Sequence, residues 1–375
     1  MTVPFGFYGN SLTSRYSCFG LLLFIFIAQT TALPLNDTNF EFESSSTEST
    51  STPSLLENDE VKGPLTDHFV RWLENNGYLY SHGFDSLKFN RPDLGPYASF
   101  GGKIDDDDRV INSPVIFIHG NSDGALAIDG PYSSGYSSSI SYFLKNGYKS
   151  SELYVTTWGD RNSTNAHLRI HSCRFLSYLR MFVDAVLEYT KADKINIISH
   201  SMGVTLARRI VKGGLLLSSD SYMGYCVLGQ PLGNRVNVFI GLAGANTGMC
   251  NCAGADDILF PTCNKETGFW PGDYCGQNHL TCGDDPQPYP CTRPQYSQFL
   301  EDLNSDPYHL EGNFIASLWS HDDDILGHGC NVYGYPTPLI PNSNYYHILS
   351  GYNHMDTKDK TAAYQFNLIN YRKIT

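Results

Sequence analysis

Ser201, Asp323 and His354 are the side chains of this 375-residue chain whose types and order predict nucleophilic catalysis. A serine hydroxyl is a weak nucleophile until a neighbouring imidazole accepts its proton. The imidazole in turn needs a carboxylate, which orients the ring and stabilises its charged form. A serine, an acid and a histidine that follow one another in this order, each just after a predicted strand, therefore suggest a catalytic triad.

Ser201 is the best-defined of the three because of its local sequence. It lies in Ser-His-Ser-Met-Gly at 199–203, between an isoleucine-rich apolar run at 194–198 and a helical pattern at 204–212. A strand, a tight turn and a helix with serine at the tip form the context of the nucleophile-elbow motif G-x-S-x-G. Ser199 replaces the first glycine, and serine is small enough for the turn. We interpret Ser201 as a nucleophile; the alternative is a serine-rich loop.

The acid is harder to choose because three aspartates, at 322–324, follow a predicted strand at 313–319. Side chains alternate along an extended segment, so Asp322 and Asp324 would point to one side and Asp323 to the other. The residues alone leave open which aspartate acts, and a solvated acidic loop is the alternative.

His354 follows the last predicted strand, at 345–349, in a C-terminal loop. Taken alone it could equally be an exposed loop histidine. Its position after the serine and the acid favours a general base. His119, His200 and His347 have simpler explanations, as residues of a loop, of the elbow and of a strand.

Alternating strands and helices predict the scaffold that must position these residues. The predicted strands cover 114–118, 152–158, 194–198, 236–243, 313–319 and 345–349, and the predicted helices cover 138–145, 173–191, 204–212 and 365–371. This pattern indicates an α/β fold with a mainly parallel central sheet and helices on both faces. Reactive groups gather at the carboxyl ends of such strands. The glycines at 241–248 lack the G-x-G-x-x-G spacing of a dinucleotide loop, so no such cofactor is expected.

An oxyanion formed by attack on a carbonyl group would need hydrogen-bond donors. We predict the backbone N–H groups of Met202, which follows the nucleophile, and of Asn121, in the loop after the strand at 114–118.

The N-terminal segment predicts the compartment. Residues 1–32 resemble a secretory signal peptide, with Arg15, an apolar run at 19–28 and a small-residue cleavage site. An uncleaved signal anchor is the alternative. Residues 33–62 are acidic and rich in Ser and Thr, so they are predicted to be disordered, and residues 63–375 are predicted to form the hydrolase domain. No membrane span is expected after removal of the signal.

Cysteine usage agrees with an oxidising compartment. Cys18 would leave with the signal, and the nine that remain are Cys173, Cys226, Cys250, Cys252, Cys263, Cys275, Cys282, Cys291 and Cys330. Most should form disulfides, with one left over, and their spacing does not fit a zinc site. Asn36 and Asn162 begin glycosylation sequons.

The charge balance excludes some partners. A net charge of −13 argues against binding to nucleic acids or anionic membranes, although contact with neutral lipid remains possible. The acidic run at 105–109 is interpreted as a solvated turn, with a protease processing site as the alternative. The oligomeric state cannot be predicted.

Three segments, at 115–123, 157–162 and 199–203, resemble the class 2 lipase family, and the chain looks closest to a secreted nematode branch of it. The resemblance implies an α/β-hydrolase that cleaves carboxylic esters of lipids. The triad mechanism itself requires no metal or organic cofactor. The resemblance also implies that Ser201 is the nucleophile. The segment at 319–325 matches the family pattern W-S-x-x-D-x-I/V, which selects Asp323, and Asn353-His354 carries the base.

A cysteine-rich insert at about 246–305 departs from the family pattern. We interpret it as a disulfide-stapled cap near the mouth of the site. Its aromatic residues Phe260, Phe269, Trp270 and Tyr274 would either face lipid or form the insert's own core.

The predicted function is therefore that of a secreted triacylglycerol lipase or esterase, whose partner is a lipid ester. The alternatives are an inactive hydrolase-fold protein that serves in binding or adhesion, and a thioesterase or acyltransferase with the same triad.

Overall fold

The computed structural model describes residues 61–374, apart from 79, 83–84, 219–220, 222, 273–281, 283–295 and 328–330. The described residues belong to one compact unit, 59–375. The predicted signal peptide, nearly all of the predicted disordered segment, Asn36, Tyr274, and Cys18, Cys275, Cys291 and Cys330 lie outside the described residues. Within the described part of the chain, no helix has the length and apolar character needed to cross a membrane.

Thirteen strands and seven α-helices make up the described fold. The strands are β1 (Tyr80–His82), β2 (Asp85–Leu87), β3 (Ser99–Phe100), β4 (Val115–Ile118), β5 (Leu153–Thr156), β6 (Ile195–His200), β7 (Leu215–Leu217), β8 (Tyr225–Val227), β9 (Val236–Leu242), β10 (Phe314–Ser320), β11 (Asn331–Val332), β12 (Tyr335–Pro336) and β13 (Tyr345–Leu349). The helices are α1 (Asp67–Asn75), α2 (Ser137–Lys145), α3 (Cys173–Thr190), α4 (Met202–Lys212), α5 (Gln298–Ser305), α6 (Asp356–Asp359) and α7 (Ala362–Tyr371).

The central sheet has seven strands in the order β13-β10-β9-β6-β4-β5-β3. All neighbouring strands are parallel except β3, which pairs antiparallel with β5. The six predicted strands are β4, β5, β6, β9, β10 and β13, so the predicted mainly parallel sheet is confirmed. The remaining strands form three two-stranded hairpins outside this sheet.

Side-chain alternation along the strands divides the core into two layers. In β4, Ile116 and Ile118 pack in the layer that contains residues of α1, α3, α4 and α5. Val115 and Phe117, from the same strand, pack in the layer that contains residues of α2 and α7. Both faces of the sheet are therefore covered by helices, as a parallel sheet requires.

Three disulfides connect described cysteines, and they agree with the prediction that most cysteines pair. Cys173–Cys226 joins α3 to β8, whereas Cys250–Cys282 and Cys252–Cys263 lie within the insert. Phe269 and Trp270 of the insert are buried. Phe269 belongs to the same core layer as α3 and α4, so it neither faces lipid nor forms a separate core of the insert.

Candidate active site

Ser201 occupies a strained turn between β6 and α4. Its φ of 55° and ψ of −130° place a residue that has a side chain in a region that glycine favours. Gly203 follows at the start of α4, where an added Cβ would lie 2.4 Å from the carbonyl oxygen of His119 and 2.5 Å from that of Ile118. The backbones approach so closely that only glycine fits there.

Ser199, on the other side of the turn, is accommodated without such a collision. It is buried in β6, in register with Gly241 of β9. Its hydroxyl donates a hydrogen bond of 3.0 Å to the carbonyl oxygen of Ile240. A small hydroxyl side chain therefore fits where the motif has its first glycine.

His354 and Asp323 form a buried pair at the carboxyl edge of the sheet. His354 Nδ1 lies 2.7 Å from Asp323 Oδ2, and both side chains are nearly inaccessible to solvent. Asp323 Oδ1 accepts hydrogen bonds from the backbone N–H groups of Ile325 and Leu326, at 2.9 and 2.7 Å. The carboxylate is thus held on one side by backbone donors and directed at the imidazole on the other. If Nδ1 carries the proton, Nε2 is left as an acceptor.

The neighbouring aspartates also bind the segment that carries His354. Asp324 Oδ1 accepts from the backbone N–H of His354 at 2.9 Å, and Asp322 Oδ2 accepts from that of Gly351 at 2.5 Å. The run at 322–324 forms a turn instead of continuing as an extended strand. All three carboxylates therefore reach the histidine loop, but Asp323 is the one that bonds to the ring.

His200 connects this pair to the elbow, a role that the sequence did not reveal. Its ring centroid lies 4.6 Å from that of His354, and its Nε2–H donates to the carbonyl oxygen of His354 at 3.1 Å. Burial keeps the pKa of His200 well below its ordinary value, so the ring is neutral. Because His200 directly precedes Ser201, the structure brings Ser201, Asp323 and His354 into one region.

Asn121 lies in a loop that contacts the elbow. An added Cβ at Gly120 would be 2.8 Å from Ser201 Cβ, so this loop packs directly against the serine. The Asn121 side chain is engaged elsewhere, because its Nδ2 donates to Ala166 O at 2.9 Å and its Oδ1 accepts from Arg169 Nη1 at 2.7 Å. Its backbone N–H donates no hydrogen bond to the described residues. The N–H of Met202, at the first position of α4, likewise lacks a helical acceptor.

His119 is close to the site but has a structural role. Its Nδ1–H donates to Gly120 O at 2.8 Å, and its Nε2 accepts from the backbone N–H of Trp158 at 3.1 Å. The ring is parallel to that of Trp158, with centroids 5.2 Å apart. Burial lowers the pKa of His119 to about 3, so it remains neutral and both ring nitrogens are occupied.

A buried ion pair between Asp123 and Lys358 joins the loop that carries Asn121 to the segment that follows His354. No pattern in the sequence indicated this pair. Lys358 Nζ lies 3.5 Å from Asp123 Oδ2 and donates to Ser134 Oγ at 2.9 Å and to the carbonyl oxygen of Gly135. Asp123 Oδ1 accepts from the N–H groups of Gly124 and Gly135, both at 2.8 Å. Asp123 is two residues from Asn121, and Lys358 is in α6, four residues after His354.

Two further sequence predictions concern residues at or near this edge. Asn162 is exposed, and its Oδ1 accepts from the N–H and the hydroxyl of Thr164. Asn162 stays a predicted glycosylation site. Among the described residues, no group of three or more His, Cys, Asp or Glu side chains is arranged to hold a metal ion.

Comparison with known proteins gives one family. The family model described as Lipase (class 2) matches residues 112–367, a segment that contains Asn121, Ser201, Met202, Asp323 and His354. A search among curated proteins finds no match.

Solved structures that resemble this chain include lipases of low sequence identity. Lipase B of Aspergillus fumigatus is 11% identical with a TM-score of 0.42, and the match covers 78% of this chain and 62% of that one. The monoacylglycerol lipase of Paleococcus ferrophilus is 11% identical with a TM-score of 0.38, over 72% and 96%. Lipase BlEst2 of Bacillus licheniformis in its propeptide form is 11% identical with a TM-score of 0.41, over 74% and 54%. This chain therefore spans less than two thirds of the length of the first and the last of these structures.

Proposed function

The chain belongs to the class 2 lipase family, and we propose that it is a secreted serine hydrolase that cleaves carboxylic esters of lipids through a covalent acyl-enzyme. The family membership supports an ester hydrolase with an α/β-hydrolase fold. The observation that carries the mechanism is the 2.7 Å contact between His354 Nδ1 and Asp323 Oδ2 beside the elbow that presents Ser201. Membership of a nematode-type branch stays a prediction.

The proposed reaction gives each of these groups one role. His354 Nε2 accepts the proton of the Ser201 hydroxyl while the oxygen attacks the ester carbonyl carbon. Asp323 holds the ring in the tautomer that leaves Nε2 free and stabilises the imidazolium that forms. The protonated ring then transfers the proton to the leaving alkoxide, which departs as the alcohol. Water, deprotonated in the same way, releases the acid and regenerates Ser201.

The tetrahedral intermediate carries a negative oxygen that needs donors already in place. The N–H groups of Met202 and Asn121 are proposed for this role, because Met202 begins α4 directly after the serine and Asn121 follows Gly120, which packs against Ser201. Removal of one such donor typically lowers the rate by about 10² to 10³. The hydrogen bonds from Asn121 to Ala166 and Arg169 would keep the loop, and with it the N–H, in one position.

Secretion is part of the proposal, and three disulfides support it, since such bonds persist in oxidising compartments. The signal-peptide pattern at 1–32 and the sequons at Asn36 and Asn162 agree with this location. The proposed partner is a lipid ester, and the reaction as written uses no cofactor.

Ser201→Ala tests the proposal. We expect hydrolysis of dispersed short-chain esters to fall by roughly 10⁴-fold or more, because the nucleophile is lost, and labelling by a fluorophosphonate probe to disappear. Ser199→Ala is the matched control, since it removes a serine hydroxyl two residues away. This variant should retain both ester hydrolysis and labelling by the probe. Equal hydrolysis by wild type and Ser201→Ala would refute the proposal. A wild-type protein that is neither labelled nor active would instead be the binding-protein alternative, and transfer of the acyl group to an alcohol in preference to water would indicate an acyltransferase.

A further inference from the structure

The insert exposes large aliphatic side chains at one tip although its aromatic residues are buried. Ile258 is 85% exposed and Leu259, next to it, is 64% exposed, whereas Phe269 is 4% and Trp270 7% exposed. Single exposed apolar residues are ordinary, but adjacent ones form a patch that favours contact with an apolar surface. The insert buries its apolar surface through Phe269 and Trp270, so Ile258 and Leu259 at the tip are not part of a core.

The tip is held in a defined conformation. The Cys252–Cys263 disulfide closes the loop that contains it. Asp256 Oδ1 accepts from the backbone N–H groups of Ile258 and Leu259 at 2.9 and 3.2 Å, and Asp256 O accepts from that of Phe260 at 2.9 Å. The two side chains are therefore presented on a preorganised turn, which lowers the entropy lost when they bind.

A chain of contacts connects the tip to the proposed oxyanion loop. The short 3₁₀ segment Pro261–Cys263, just after the tip, packs against the 3₁₀ segment Ser163–Leu168. The rings of His167 and Phe260 are 6.1 Å apart, and Leu168, which is 49% exposed, adds apolar surface. Within the same segment, Ala166 O accepts the hydrogen bond from Asn121. The exposed tip is thus connected to the loop of Asn121 through Phe260, His167 and Ala166.

The charge near the tip selects one kind of surface. Asp256 and Asp257 precede Ile258 directly, and the whole chain carries a net charge of −13. Anionic lipid surfaces would repel such a region, since they attract clusters of Lys and Arg. From the exposure, the preorganised turn and the contacts that lead to the loop of Asn121, we propose that Ile258 and Leu259, with Leu168, dock the protein on the uncharged surface of aggregated acylglycerol. This inference rests on the proposed function, because the docked surface would contain the substrate.

The double variant Ile258→Ser/Leu259→Ser tests the docking surface. We expect hydrolysis of an emulsified long-chain triacylglycerol to fall about tenfold or more, because two aliphatic side chains no longer leave water on docking. Hydrolysis of a dispersed short-chain ester should stay within about twofold, because the variant leaves the triad intact. Leu215→Ser/Leu217→Ser is the matched control. Both of these leucines are exposed, and they follow the end of α4 that is opposite to Ser201, so activity on the emulsion should not change.

Binding separates this inference from the proposed function. In the inactive Ser201→Ala background, flotation with a triacylglycerol emulsion should be reduced about tenfold by Ile258→Ser/Leu259→Ser, and by anionic lipid added to the emulsion. This readout needs no catalysis, so it stands even if the triad proposal fails. Unchanged flotation, or an equal loss of activity on dispersed and emulsified esters, would overturn the inference.

Discussion

Two buried ion pairs, Lys358–Asp123 and Arg208–Glu311, connect different kinds of elements. In both, the cation and the carboxylate are almost fully shielded from solvent. A buried pair is costly to break, because the remaining charge is left without its partner in a dry environment. Burial therefore predicts that both pairs stabilise the fold, whereas the consequences for catalysis should depend on which elements each pair joins.

Arg208 joins elements behind the elbow. Its Nε donates to Glu311 Oε1 at 2.8 Å, and its Nη1 donates to Asn246 Oδ1 at 2.9 Å and to Asn304 Oδ1 at 3.0 Å. These partners come from the segment before β10, the start of the insert and α5. None of them directly precedes or follows a residue proposed to touch the substrate.

Lys358 joins the two loops on which the proposed chemistry depends. Through Asp123, Ser134 and Gly135 it fixes α6, and with it the His354 loop, against the loop that carries Asn121. Burial of an ion pair indicates that the pair stabilises the fold. A role in positioning the catalytic groups is indicated only by which segments the pair connects. Lys358 is a positioning residue by this criterion, and Arg208 is not.

Lys358→Met should have the largest effect. We expect the free energy of unfolding to fall by about 3–5 kcal/mol, because Asp123 is left as an unpaired buried charge. We also expect kcat per active site to fall by about 10²-fold, because a displacement of order 1 Å between base and oxyanion donor costs about that much. Urea unfolding gives the first quantity, and esterase kinetics normalised by active-site titration give the second.

Arg208→Met provides the matched control for this comparison. It should lower the free energy of unfolding by about 1–3 kcal/mol, less than Lys358→Met does, because Lys212 Nζ remains 3.7 Å from Glu311 Oε1. It should leave kcat per active site within about threefold. The double variant Lys358→Met/Asp123→Asn should be more stable than Lys358→Met alone, because the buried charge of Asp123 is removed, and Asp359, the other carboxylate that Lys358 contacts, is partly exposed to solvent. Wild-type kcat in the folded fraction of Lys358→Met, or an equal loss of kcat in Arg208→Met, would show that Lys358 does not position the site.

Local sequence patterns predicted the strands and helices that hold the site, but they did not predict the ion pairs between residues distant in the sequence. The strand at 194–198 and the helix after it are encoded by adjacent residues, so β6, the elbow and α4 could be recognised. Lys358 and Asp123 have no such signature, because a lysine that will be buried looks like one that will be exposed until its distant partner is known. The turn at 322–324 was missed for a related reason. Its conformation depends on hydrogen bonds to Gly351 and His354, and not on the alternation of side chains that an extended segment would have.

In the insert, likewise, the sequence did not predict which apolar side chains are exposed to solvent. Its aromatic side chains were obvious candidates for a lipid-facing surface, but Phe269 packs on His171 of the main core, with ring centroids 4.7 Å apart. Composition reveals that an insert has apolar residues. Which of them point outward depends on what the insert covers.

Acidification should lower the free energy of unfolding by an intermediate amount, through buried histidines near both ion pairs. Burial lowers the pKa of His171, on the Arg208 side, to about 4, and that of His119, on the Lys358 side, to about 3. A histidine with a depressed folded-state pKa binds its proton more readily when unfolded. This contribution to stability is therefore complete above the unfolded pKa of about 6.5, decreases as pH falls below that value, and is fully lost once pH has fallen through the folded pKa. Between pH 7 and 5 each such histidine should cost about 2 kcal/mol.

His171→Gln tests this contribution, since His171 bonds to Thr267 O at 2.7 Å and to Thr205 Oγ1 at 2.6 Å without touching the triad. The variant is expected to be less stable at pH 7 but to lose about 2 kcal/mol less than wild type on going to pH 5. Urea unfolding at both pH values measures the difference. If the gap between wild type and variant is the same at pH 7 and 5, His171 does not titrate as its burial implies.

Ser199→Ala should have the smallest effect, and it examines the strand that lies between the two regions. Loss of the 3.0 Å hydrogen bond to Ile240 O should lower the free energy of unfolding by about 1 kcal/mol. Activity should remain within about twofold, because the hydroxyl points towards β9 and the Cβ that the turn tolerates is kept. Gly203→Ala is the contrast at the other small position of the elbow. Its added Cβ would lie 2.4 Å from His119 O, so the loop carrying Asn121 must move and activity should fall by about 10²-fold.

The two elbow variants together locate the steric requirement of the turn. Both positions are occupied by small residues, but Ser199 faces a glycine of the adjacent strand, whereas Gly203 faces backbone. Ester hydrolysis measured beside urea unfolding distinguishes loss of packing from loss of the site. If Ser199→Ala lowers kcat as much as Gly203→Ala does, the Ser199 hydroxyl belongs to the catalytic arrangement and is not merely a tolerated substitute for glycine.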